Sequence, residues 1–175
     1  MMNNTKKIMH ITYDMRIGGT EMVIKNLIDG ANTEAYKMSV LCIESPLGPF
    51  ATDLMDNSIQ FYELNRQPGF DTKLIAQIRR VIKEDDIDII HCHQYTPWVY
   101  GVIAATLTNT KVIFTEHGRF YPDSSSWKRK LINPILNCLT EQVTAISEAT
   151  KTALVNYENI AKKSIDVIYL SLIHI

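Results

Sequence analysis

A chain of 175 residues with 46% hydrophobic content is the size of one domain built on one buried core. A formal net charge of −1 excludes bulk electrostatic attraction to nucleic acid or to an anionic membrane. The three cysteines, Cys42, Cys92 and Cys138, are widely separated and odd in number. They read as reduced, mostly buried thiols of a cytosolic protein rather than a disulfide framework. The opening "MMNNTKK" is polar and leads into an apolar strand, not a cleavable signal core, and no run approaches the ~18 apolar residues of a membrane span. A soluble protein is expected.

Strand-like and helix-like segments alternate along the chain with little left over. "KIMHITYD" (7–14) reads as a strand. From Thr20 to Asn32, Val23, Ile24, Leu27 and Ile28 recur at helical spacing, with Thr20 in the N-cap place and Glu21 in the first turn. A strand (37–44), a Pro/Gly turn "SPLGP", a short helix (50–57) and a strand (59–64) follow. Leu74, Ile75, Ile78, Val81 and Ile82 stripe a helix beginning near Asp71. "IDIIHCH" (87–93) is a strand ending in ligand-capable residues. "TPWVYGVIAATLTN" is an apolar helix of the core, with Pro97 in its tolerant first turn. "KVIFTEHG" (111–118) repeats the strand and polar tip. After a Ser-rich loop come a helix (126–140), the strand "QVTAIS", a helix capped by Ser147, and a last strand, "SIDVIYL".

Such alternation, with mostly apolar strands, predicts an α/β domain with a doubly wound, Rossmann-like parallel sheet covered on both faces. Ligands of such sheets lie beyond the carboxyl ends of the strands. The polar tips Asp14–Gly19, His91–Gln94, Glu116–Arg119 and Ser147 are therefore expected on one rim.

The glycine pair Gly18-Gly19 leaves two readings open. It closes a tight strand-to-helix turn, or it clears the way for a phosphate to approach a helix N-terminus. It is neither a G-x-G-x-x-G fingerprint nor a P-loop. Glu21 competes with a phosphate there, because its own carboxylate can satisfy the helix end. His91 and His93 share a strand face, which suits a metal pair, but no further Cys/His pair stands at ligand spacing, and no metal is expected. His117 is either a packed structural residue or one that bonds a sugar hydroxyl or phosphate, or assists a proton transfer. Lys128, Arg129 and Lys130 read as a solvated helix face. Contact with an anionic acceptor or a membrane headgroup is the alternative, with Trp127 and Tyr121 nearby.

Five motifs in order, "GGTE", "IDIIHCHQ", "VIFTEHG", "VTAISEATK" and "IDVIY", resemble the N-terminal half of the GT-B-fold retaining glycosyltransferases of family 4. The resemblance covers residues 7 to 169. It implies sugar transfer from a nucleotide-sugar donor to a carbohydrate or lipid-linked acceptor, with retention at the anomeric carbon and without a metal or other cofactor. It places Gly18 and Gly19 at the donor, His117 at the reaction centre, and His93 and Arg119 on the acceptor side. It also implies a cytoplasmic protein, with peripheral contact at the inner membrane face in view.

In that family the last strand runs on into Asn-Gly-Ile/Val-Asp and a second Rossmann-like domain that carries most nucleotide contacts. Here the chain reads "LSLIHI". The expectation is an N-terminal acceptor-side domain (1–169), an atypical tail (170–175) and truncation before the donor-binding domain, so that this chain alone is inactive. The alternative readings are a GT-B-like sugar-nucleotide epimerase and a non-enzymatic nucleotide- or sugar-binding module.

Overall fold

A computed structural model describes residues 5–118 and 126–170. Arg119, Tyr121 and the tail 171–175 lie outside the described residues. Seven strands alternate with six helices: β1 (Lys6–Thr12), α1 (Gly19–Asp29), β2 (Tyr36–Cys42), α2 (Pro49–Asp56), β3 (Gln60–Glu63), α3 (Thr72–Glu84) and β4 (Ile89–His93). They continue as α4 (Tyr95–Ala105), β5 (Lys111–Glu116), α5 (Trp127–Cys138), β6 (Gln142–Ala145), α6 (Glu148–Glu158) and β7 (Ile165–Val167), the last after one 3-10 turn.

The sheet is parallel throughout, in the order β3-β2-β1-β4-β5-β6-β7. That order reverses direction between β1 and β4, and the crevice beyond their carboxyl ends is where an open α/β sheet takes its ligand. The two faces differ in chemistry. One carries Met9, Ile11, Ile90, Cys92, Phe114 and Val143, packed with Leu74, Ile78 and Ile82 of α3 and Trp98 of α4 in a single apolar cluster. Trp98 stacks on Phe114 with ring centroids 4.5 Å apart. Gly101 sets the distance of α4 from the sheet, because a Cβ there would collide with Cys92 Sγ. The apolar helix of the sequence is thus core, as its composition implied.

The opposite face is apolar toward the β2–β3 edge, where Val40 and Cys42, with Phe61 packed against them, join Ile24 and Ile28 of α1 and Ala51 and Leu54 of α2. Register places His10 opposite Val40 and His91, and His93 opposite Thr115. Across β1, β4, β5 and β6 this face therefore presents His10, Thr12, His91, His93, Thr115 and Thr144. Most of these polar residues are buried.

The helix starts illustrate which local signals decide. Asp71 caps α3 by accepting from the amides of Lys73 and Leu74, and Ser147 caps α6 by accepting from Thr150, as the sequence indicates. Thr20 does not cap α1. The N-cap is Gly18, in extended conformation and without a side-chain bond, and Thr20 lies buried inside the first turn. The helix starts two residues earlier than a threonine cap at Thr20 would place it. Cys42 and Cys92 are buried and Cys138 is exposed, all three unbridged. No helix among the described residues is long and apolar enough to cross a membrane.

Candidate functional site

The loop after β1 is held from both sides. Asp14 accepts from the Arg16 amide at 3.1 Å and pairs with its guanidinium at 3.0 Å. From the β2–α2 connection, Gly48 donates its amide to Asp14 O at 2.6 Å. A Cβ at Gly48 would run into the backbone of Met15 and Arg16, so only glycine permits this approach. The chain then enters α1 through Gly18 and Gly19. Nothing lies within 4 Å of a Cβ built on Gly19, which leaves the first turn of α1 bare on that side. Amides of a first turn have no intrahelical partner and carry the positive end of the helix dipole.

Glu21 bends back over this turn, its carboxylate oxygen occupying the place a Gly18 Cβ would take. Burial raises its pKa, its own backbone amide lowers it, and nearby Asp14 raises it. The Glu21 carboxylate thus stands at the start of α1, the position from which the sequence reading expects it to satisfy the helix end.

Gln94 joins β4 to α4 with φ 71° and ψ 166°, a region that side chains other than glycine rarely occupy. The conformation lets the Gln94 amide donate to Thr115 O at 2.9 Å and aims its side chain at Thr20 of α1, 3.4 Å away. Farther along the rim, the Ile146 amide donates to Glu116 O at 3.3 Å. The four polar tips therefore do meet on one rim, as far as each is described.

Behind the rim stands a line of histidines. His10 Nδ1 is 3.0 Å from His93 Nε2, and His93 Nδ1 is 2.8 Å from His117 Nε2. His91 lies alongside, its ring centroid 4.1 Å from that of His93, and bonds Thr115 Oγ1 at 2.7 Å. Thr115 meets Thr144 Oγ1 at 2.7 Å, which reaches Phe114 O at 3.3 Å. A carbonyl can only accept. Satisfying all three contacts makes Thr144 donate to Phe114 O, Thr115 donate to Thr144, and His91 donate its Nε2 proton to Thr115.

Burial keeps all four rings neutral near pH 7. It pushes His10 and His117 down to about 4. His91 and His93 fall well below the ordinary range, through burial first and the neighbouring imidazoles second. One nitrogen each of His10, His91 and His93 lies within 4.8 Å of the others. Two of these rings already bond each other directly, and His93 uses both its nitrogens on histidine partners. The set reads as a hydrogen-bonded chain, with no carboxylate ligand among the three.

Of the residues singled out in the sequence, Gly18, Gly19 and His117 stand at this rim, with His93 bonded behind His117. His93 is fully buried behind His117, so it supports that ring rather than meeting an acceptor. His10 and Gly48 were not foreseen, and Gln94 was named only as the end of the polar tip His91–Gln94. A signal for His10 does exist: β1 and β4 both end in an apolar-polar alternation, "MHIT" and "IHCH", which puts His or Thr on one common face.

Around α5 a second arrangement is polar where helices are usually apolar. Asn133 is fully buried and accepts from Tyr95 Oη at 2.7 Å. It donates to the carbonyl and carboxylate of buried Glu158, each at 2.9 Å. Arg129 pairs with Glu158 at 3.0 Å and lies over the Tyr95 ring. The apolar residues Trp127, Leu131 and Ile135 face outward, 72%, 66% and 62% exposed, with Lys128 and Lys130 exposed beside them.

Residues 17–171 match the family model described as Glycosyltransferase Family 4. The chain is 26% identical over 144 residues to the Escherichia coli UDP-Gal:alpha-D-GlcNAc-diphosphoundecaprenol alpha-1,3-galactosyltransferase, covering 79% of this chain and 36% of that protein. Its fold is similar to a glycosyltransferase from Rickettsia africae, with TM-score 0.74 and 23% identity over 95% of this chain and 43% of the other. It is equally similar to Anabaena HepE solved in complex with UDP, with TM-score 0.74 and 22% identity over 93% and 43%. The chain thus spans less than half the length of these relatives. With the order reversal between β1 and β4, the glycine-led α1 and His117 on one rim, and the match over residues 17–171, this chain belongs to Glycosyltransferase Family 4.

Proposed function

We propose that this chain is the N-terminal, acceptor-side half of a retaining glycosyltransferase that moves a sugar from a nucleotide-sugar donor to a carbohydrate or lipid-linked acceptor. The observation that carries the reading is that the α1 N-terminus, through Thr20 and Gln94, and His117, through His93, both stand at the end of β4 beside the crevice between β1 and β4, within a chain of this family. Gly18 and Gly19 clear the approach to α1, whose dipole favours the negative charge that develops on a leaving nucleoside diphosphate. His117, neutral and held from behind, orients the transferred sugar. Positioning and charge stabilisation carry the rate, with no metal or cofactor. UDP is the favoured nucleotide, because HepE was solved with it and the E. coli relative is named for a UDP-galactose donor. The family match favours transfer over the epimerase and binding-module alternatives.

A cytoplasmic, membrane-peripheral placement follows from the same proposal. The E. coli relative is named for a diphosphoundecaprenol acceptor, which resides at a membrane. The outward Trp127, Leu131 and Ile135, with Lys128 and Lys130 beside them, supply apolar insertion and cationic attraction for an anionic headgroup layer. Arg119 falls on the acceptor side in this reading.

The test presents the full-length protein with UDP-sugars and an isoprenoid-diphosphate-linked sugar, and determines the anomeric configuration of the product. A retained linkage supports the proposal. Epimerised nucleotide-sugar without transfer, or an inverted product, overturns it. Sedimentation with phosphatidylglycerol vesicles, compared with neutral ones, tests the membrane contact. Binding that survives Leu131→Asp with Ile135→Asp removes α5 from it.

A further inference from the structure

The three rings His10, His93 and His117 have a property that none has alone. Each neutral imidazole carries one ring proton, and each hydrogen bond needs one proton between its two nitrogens. The contacts His10 Nδ1···His93 Nε2 and His93 Nδ1···His117 Nε2 therefore allow only two fully bonded arrangements. In the first, His10 donates from Nδ1 to His93, His93 donates from Nδ1 to His117, and His117 carries its proton on Nδ1. In the second, every proton sits on Nε2, His117 donates inward, and His117 Nδ1 is a bare lone pair. A change at either end reverses all three rings together.

The ends decide which arrangement holds. His10 Nε2 and His117 Nδ1 are the two chain-end atoms, and both are buried without a partner among the described residues. The second arrangement leaves an N–H at His10 Nε2, inside a residue only 2% exposed, where no described residue accepts it. An orphaned buried donor is costly, and a bare acceptor is more easily tolerated. The first arrangement leaves the lone pair on His10 and puts the orphaned N–H on His117, the less buried of the two rings and the one at the rim, where a ligand oxygen that reaches Nδ1 pairs it.

We infer that His10 and His93 are positioning residues that lock His117 in its Nδ1–H tautomer, so that it meets the ligand as a neutral hydrogen-bond donor. This rests on the reading that His117 faces the transferred sugar, and it narrows that role. With Nε2 occupied by His93, His117 has no free lone pair with which to act as a general base. The ligand atom it recognises is an acceptor, such as a sugar hydroxyl or ring oxygen. His10 acts on that contact through two rings without touching the ligand.

Ring-15N NMR of the histidine-labelled chain at pH 7.5 tests this without any activity. Free neutral imidazole side chains favour the Nε2–H tautomer, so an Nδ1–H signature at His117 is diagnostic of the chain. The expected result is Nδ1–H at His117 in the unsubstituted protein. His93→Leu should return His117 to Nε2–H, and His10→Leu should shift it part of the way. His93→Gln should preserve Nδ1–H, because its amide can donate to His117 and its carbonyl can accept from His10. Nε2–H at His117 in the unsubstituted protein overturns the inference, as does Nδ1–H that persists in a folded His93→Leu. Should His93→Leu fail to fold, the unsubstituted protein and His93→Gln still decide. Loss of sugar transfer on His117→Ala with Nε2–H in the parent would sink the tautomer lock alone. Normal transfer in that variant with Nδ1–H in the parent would sink the catalytic reading alone.

Discussion

Glu21 folds its carboxylate back over Gly18, filling the space in which a Cβ on that glycine would stand. Gly19, one residue on, has nothing within 4 Å of the same construction. The two glycines are therefore glycine for different reasons. Gly18 accommodates Glu21, whereas the fold itself places no steric demand on Gly19. Gly19→Ala is expected to leave stability unchanged or raise it by up to about 1 kcal/mol, since alanine suits a helix better. In the full-length protein it should lower kcat/KM for the donor. A thermal melt and donor kinetics measured together check this. Unchanged kinetics would mean that no ligand approaches that backbone.

Gly48→Ala should behave in the opposite way. Its Cβ meets the backbone of Met15 and Arg16, which cannot swing aside as a side chain can. A loss of about 1–3 kcal/mol is expected, the range for forced overpacking, with a displaced β1–α1 loop. Urea denaturation measures it, and stability unchanged in Gly48→Ala would contradict this account of the loop.

Gln94→Gly should stabilise the protein while harming function. The residue holds φ 71° and ψ 166°, a conformation that costs a side-chain-bearing residue about 1–3 kcal/mol and costs glycine far less. The variant also removes the contact to Thr20. A higher midpoint in urea with a lower rate of sugar transfer is the expected pair of results. A lower midpoint would show that the side chain contributes more than the strain costs.

Stability should fall in mild acid. His10 and His117 are pushed down to about 4 by burial, and His91 and His93 lie well below their ordinary range. An unfolded histidine titrates near 6.5, so below that pH the unfolded chain binds more protons than the folded one. The stabilisation is complete above about pH 6.5 and is lost progressively as pH falls toward 4. His10 alone accounts for a difference on the order of 3 kcal/mol across that window. Urea midpoints at several pH values check this, and the slope should be smaller in His10→Leu.

Much of the architecture was legible in the sequence because it follows from local chemistry. Strand–helix alternation gave the sheet class, the carboxylate of Asp71 and the hydroxyl of Ser147 marked two helix starts, and Trp98 and Tyr100 belonged to a core helix. What escaped depends on register between distant strands. His91 and His93 share a face by alternation alone, but His10 joins them only because β1 pairs with β4 across some eighty residues of chain. Gly48 read as an ordinary turn residue because nothing local announces the loop it packs against. The outward apolar face of α5 was hidden for a related reason. Asn133 and Arg129 look like surface residues until Glu158 and Tyr95 are brought opposite them. Thr20 misled as a cap because two glycines allow an earlier entry into α1.

The most direct test of the account is sugar transfer by the full-length protein with His117→Ala, scored as kcat/KM for the donor beside a thermal melt. The account predicts a folded protein with turnover reduced by about a hundredfold, the usual order for removing one donor that acts at a reacting centre. Turnover equal to that of the unsubstituted protein would contradict it.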